Sequence, residues 1–139
     1  MEYNDSNRGT IQHRSRAKQI INFDGLLYGN KITPTDIDGM MEWHNSKAYV
    51  LYEFKYGDAE MPYGQQLALE EMVKDFIHAG KKAIAIVCKH NIANPQEDIK
   101  AADTTVQKYY TGEKWFPGKN LSCKRVTDAF WEHVNSEGG

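Results

Sequence analysis

A chain of 139 residues, 40% hydrophobic and 26% charged, has the composition of an ordinary globular protein and the length of one compact domain with its own core. No apolar run approaches the roughly 20 residues that span a bilayer, and the polar stretch from Met1 to Thr10 lacks the apolar middle of a secretory signal, so a cytoplasmic protein away from the membrane is expected. The net charge of −2 argues against binding nucleic acid through bulk positive charge and leaves room for a local basic site.

Residues 1–12 are rich in Asn, Asp, Ser and Gly and read as a flexible lead to a single domain over residues 13–139. From His13 to about Phe23, Ala17, Ile20 and Ile21 give an apolar side opposite Arg14, Arg16 and Lys18, the pattern of a helix stopped by Asp24-Gly25. Pro34 and Gly39 lead through a loop into a strand ending near Trp43, and His44-Asn45-Ser46-Lys47 is turn chemistry. The run AYVLYEF from Ala48 to Phe54, β-branched and aromatic, predicts a central strand.

After the Pro62-Tyr63-Gly64 loop, Leu67, Leu69, Met72, Val73, Phe76 and Ile77 fall at helical spacing over residues 65–78, and Gly80 ends that helix. KAIAIVC from Lys82 to Cys88 is a second buried strand, so the segment has the form of a crossover between parallel strands. A hairpin turning at Thr111-Gly112-Glu113-Lys114 and a final helix capped by Ser122 or Thr127 complete the chain. Cys88 and Cys123 lack zinc or redox spacing and are expected to be buried thiols.

Chemistry concentrates in TPTDIDG, residues 33–39, and YEFKYG, residues 52–57. Residues two apart on a strand share a face, so Glu53 and Lys55 project together from the end of the central strand, and so do Asp36 and Asp38 from the segment facing it. Carboxylates converging there suit Mg2+ or Mn2+. A cation and an ammonium group side by side can activate water and stabilise charge developing on a phosphodiester. A Glu-x-Lys pair is common on exposed strands, where it is a solvated ion pair of little energetic weight. At the end of a strongly apolar strand the same charges carry a desolvation cost that calls for a task.

Asp-Ile-Asp-Gly, a turn, and then Val-Leu-Tyr-Glu-Phe-Lys resemble the core of the PD-(D/E)xK, or restriction-endonuclease-like, nuclease superfamily, which includes phage exonucleases and Holliday junction resolvases. The likeness runs from Ile32 to about Cys88. It implies an α/β fold with a mixed central sheet flanked by helices, and Mg2+- or Mn2+-dependent hydrolysis of DNA. By the resemblance Asp38 and Glu53 are metal ligands, the Phe54 carbonyl completes the protein shell, Lys55 assists the attacking water, and Gln65 serves beside metal or phosphate. Asp36 competes with Asp38 for the first-ligand role; the shorter spacing to Glu53 and the following Gly39 favour Asp38. Thr35-Asp36 stands where a literal Pro-Asp would be, and Gln19 is the side chain nearest in kind to the helix glutamate of many members.

Arg14, Arg16 and Lys18 are candidates for a phosphate track, and Tyr56 and Tyr63 for contact with substrate, while His90 and the tryptophans are expected to serve loop and core. With no added recognition domain, specificity is expected to rest on DNA structure or on a protein partner, and members of this size often act as dimers. A compact format of this kind fits a phage-encoded protein working in the host cytoplasm. The rival expectation is a nuclease fold without catalysis, used to bind or inhibit a partner; a third is an enzyme acting on RNA.

Overall fold

The computed structural model describes residues 19–32, 34, 35 and 37–137. The chain divides into two units, Met1–Pro34 and Thr35–Gly139. In the first, Tyr28 and Ile32 form an isolated bridge closed by backbone hydrogen bonds of 2.8 Å in each direction, with Gly29 and Asn30 both at positive φ. Most of the helix expected from His13 to Phe23, with Arg14, Arg16 and Lys18, lies outside the described residues. The part that is described, residues 19–23, is not helical. Ile20 and Ile21, its expected apolar side, are 79% and 81% exposed, and a short helix gains most of its stability from packing such a face.

Among its described residues the second unit has five strands and two α-helices, β1 (Gly39–Trp43), β2 (Ala48–Tyr56), α1 (Tyr63–His78), β3 (Lys82–His90), β4 (Thr105–Tyr110), β5 (Trp115–Pro117) and α2 (Cys123–Glu137), with one 3-10 turn at Ala101–Asp103. The strands form one mixed sheet in chain order, in which β2 and β3 are parallel and every other neighbouring pair is antiparallel. Turn chemistry at residues 44–47 closes the first hairpin, with Lys47 in the left-handed region. The parallel pair needs a long crossover, which α1 supplies before Gly80, at φ +88°, turns the chain into β3. Among the described residues no helix is long and apolar enough to cross a membrane.

Strand alternation divides the core into two layers. Leu51, Ala83, Ala85, Val87 and Tyr110 pack with Leu69 and Val73 of α1, and Tyr49 stacks on Phe76 with ring centroids 4.1 Å apart. On the other face Val50, Ile84, Ile86, Cys88 and Val106 meet Cys123 and Val126 of α2. Both cysteines are free and buried, as their spacing suggested. Ser122 caps α2 by accepting the Arg125 N–H at 3.1 Å, whereas Thr127 is turned to the Tyr52 hydroxyl at 2.8 Å.

One irregularity in the sheet matters for the site. Partners of β3 jump from Lys108 opposite Val87 to Val106 opposite Cys88, leaving Gln107 as the extra residue of a β-bulge. The bulge lets Val106 face α2 while Lys108, two residues on, faces α1. The loop after β5 holds it in place: Gly118 N–H donates to the Gln107 carbonyl at 3.0 Å, and Val106 N–H to that of Leu121 at 2.8 Å. A Cβ at Gly118 would stand 1.9 Å from the Val106 carbonyl oxygen. Gly118→Ala is therefore expected to cost at least about 1–3 kcal/mol through a backbone clash that no rotamer relieves, measured by urea unfolding against wild type.

Candidate active site

The last residues of β2 leave the apolar core on the α1 face with Leu51, Glu53 and Lys55 in succession. Glu53 is 5% exposed, one of two buried polar or charged residues among those described. Its Oε1 lies 3.4 Å from Lys55 Nζ, while its Oε2 is buried with no hydrogen-bond partner. Gln65, on the first turn of α1, receives the Lys55 ammonium at 3.0 Å through its Oε1. The start of α1 thus reaches directly to the site.

Asp38 arrives from β1. The register pairs Gly39 with Tyr52, so continuing it by one residue sets Asp38 opposite Glu53. At that point the ladder ends, and Asp38 Oδ2 accepts the Phe54 backbone N–H at 2.9 Å. The carboxylate thereby takes the place of a strand carbonyl for an amide that β1 no longer serves. Burial raises the Glu53 pKa above the ordinary carboxylate range and the nearby Asp38 charge raises it further, while Lys55 and Gln65 pull the other way.

A second polar network lies behind Gln65. Gln66 Oε1 accepts from Lys108 Nζ at 2.8 Å and its amide donates to Glu70 at 3.2 Å; Glu70 also accepts the Trp115 indole N–H at 2.6 Å. Lys108 sits 4.6 Å from the centre of the Trp115 ring. Consecutive glutamines therefore tie α1 to β2 through Lys55 and to β4 through Lys108. The sequence reading missed this second tie, because only the bulge brings Lys108 to this face.

The structure brings together Asp38, Glu53, Lys55, Gln65 and the backbone of Phe54. Tyr63 stands at the start of α1 and is 72% exposed. Tyr56 belongs to the alternate set of β2 residues, on the face opposite Lys55, and its ring lies edge-on to His90 at 5.7 Å. His90 Nδ1 in turn accepts the Ile92 N–H at 3.1 Å. Trp43 packs against Phe130 and Trp131, and Trp115 against Tyr110. Asp36, the alternative first ligand, lies outside the described residues, as do Arg14, Arg16 and Lys18.

Among the described residues no three His, Cys, Asp or Glu side chains gather as a metal-ligand group. What the site offers is a carboxylate pair, with the adjoining Phe54 carbonyl as a further oxygen donor. That donor set suits a hard divalent cation, and the unpartnered Glu53 Oε2 is the kind of buried acceptor that such an ion satisfies. Comparisons with protein-family models, curated proteins and solved structures find no match.

A carboxyl whose pKa is raised by folding destabilises the native state once it ionises, fully so above its folded pKa and not at all below its unfolded one. Glu53→Gln is expected to melt above wild type in metal-free buffer at neutral pH. The advantage should shrink as the pH falls and Glu53 takes up its proton, followed by thermal melts across a pH series.

Proposed function

We propose that this chain is a divalent-metal-dependent nuclease of the PD-(D/E)xK type, with a restriction-endonuclease-like sheet, hydrolysing DNA phosphodiester bonds. The observation that carries the proposal is Glu53, a buried carboxylate with one unpartnered oxygen, beside Asp38 and within 3.4 Å of Lys55. Two carboxylates brought together at the end of an apolar strand repel each other, and Lys55 meets one oxygen of Glu53 alone; a divalent cation would offset the rest.

Asp38, Glu53 and the Phe54 carbonyl would hold Mg2+ or Mn2+. Bound there, the ion supplies Lewis-acid polarisation of a phosphoryl oxygen and a lowered pKa for its water. Lys55 keeps an ammonium group at the same point, able to orient the attacking water and to stabilise charge gathering on the phosphoryl oxygens. Gln65 fixes that ammonium from α1. Asp38 holds the Phe54 amide and so sets the end of β2 against the end of β1. The proposal places selectivity in the structure of the DNA or in a partner.

The test is cleavage of single-stranded, duplex, flapped and four-way DNA, with matched RNA, in Mg2+ or Mn2+. Glu53→Ala is expected to abolish metal-dependent products and Lys55→Ala to reduce them by about 100-fold or more. Mn2+ should also raise the melting temperature of wild type and leave that of Glu53→Ala unmoved. A folded wild type that cleaves nothing and shows no Mn2+ heat in calorimetry would overturn the enzyme and leave a nuclease-like fold serving as a binding module.

A further inference from the structure

Lys55 has a neighbour of like charge on the adjacent strand. Lys55 on β2 and Lys89 on β3 are direct register partners on parallel strands, so both project onto the α1 face. Adjacent strands lie ~4.8 Å apart, and like charges set side by side on a sheet repel. Lys108, on the next strand, also faces this way, but it is held between Gln66 and the Trp115 ring. Lys89 is held differently.

The side chain of Lys89 is 32% exposed, and its ammonium meets Asp58 at 2.9 Å. Asp58 lies just past β2, its side chain 88% exposed, and its pKa is lowered by the hydrogen bond and charge of Lys89. A pair so exposed is easily exchanged for another anion. Lys89 also lines a cleft with Lys100 and Thr105, and with Asp98 and Asp103. On the α1 face Lys89 and Lys55 stand side by side, the outer one more exposed than the inner, with side chains 32% and 16% exposed.

We propose that Lys89 is a second phosphate-binding residue of the site, taking the backbone phosphate next to the one that faces Lys55, and that Asp58 occupies it until the nucleic-acid strand displaces the carboxylate. The assignment rests on the nuclease reading of Glu53 and Lys55 and adds a contact outside the residues that resemblance supplied. It accounts for two lysines being placed side by side, with an exchangeable acidic partner on the outer one.

The experiment measures binding of a short fluorescently labelled DNA duplex by anisotropy across a KCl series, with Ca2+ in place of Mg2+, for wild type, Lys89→Gln, Asp58→Asn, the double variant and Lys81→Gln. Lys81 immediately precedes β3, at the end away from Lys89, and controls for the loss of one charge. Lys89→Gln is expected to weaken binding severalfold and to flatten the slope of log K against log salt by about 0.9, the amount of one lost phosphate contact. Asp58→Asn should tighten binding, and the double variant should lose that gain. If wild type binds while Lys89→Gln keeps its slope, or Lys81→Gln loses as much, the assignment is overturned. Cleavage by wild type in Mg2+ or Mn2+ is scored separately. Binding without cleavage overturns the catalytic reading and leaves Lys89 to be judged by its slope, whereas a wild type that neither binds nor cleaves overturns both.

Discussion

The structure around the site depends on the burial of one carboxylate. Glu53 sits where β2 leaves the apolar core, and its environment opposes ionisation through desolvation and through the charge of Asp38. Lys55 and Gln65 answer that cost in part, Lys55 lying against one oxygen and Gln65 fixing Lys55, while Asp38, which adds to it, is held on the Phe54 amide. The second oxygen is left without a hydrogen bond. In a folded protein such a group is a local debt, and sites that keep one tend to use it.

The fold brings these groups together by simple means. A parallel β2–β3 pair requires the α1 crossover, and the crossover returns the start of the helix to the end of β2, where Gln65 meets Lys55. The antiparallel β1 brings Asp38 to the same end from the opposite chain direction. Gln66, Lys108, Trp115 and Glu70 then fasten α1 to the far strands, so the helix start is located from two sides. Precision at the site comes from regular elements rather than from loops.

Much of this was legible in the residues. The runs over residues 48–54 and 82–88 announce themselves as nearly continuous apolar stretches, because strands covered by helices on both faces carry little polar alternation, and the strands that contain them run on to Tyr56 and His90. Glu53, Lys55 and Asp38 could be placed together from period-two geometry and one hairpin. The bulge could not: Thr-Val-Gln-Lys-Tyr-Tyr alternates acceptably as a plain strand, and only partners on β3 and the 118–122 loop reveal that Gln107 is extra. Nor could the pairing of Lys89 with Lys55, which depends on the register between strands some 30 residues apart. At the start of the chain, periodicity suggested a helix at residues whose described part is not helical; an apolar stripe specifies a helix only where another surface covers it.

The order of strands has a consequence for association. The long strands β2 and β3 are interior, while the margins of the sheet are β1, five residues with Glu42 among them, and β5, three residues ending in Pro117, which has no amide hydrogen to offer. Short margins interrupted by a charge and an imino acid are poor templates for another strand. A molecule with so much β-branched and aromatic sequence thus keeps its most adhesive segments in the middle and limits growth into ribbons at both ends.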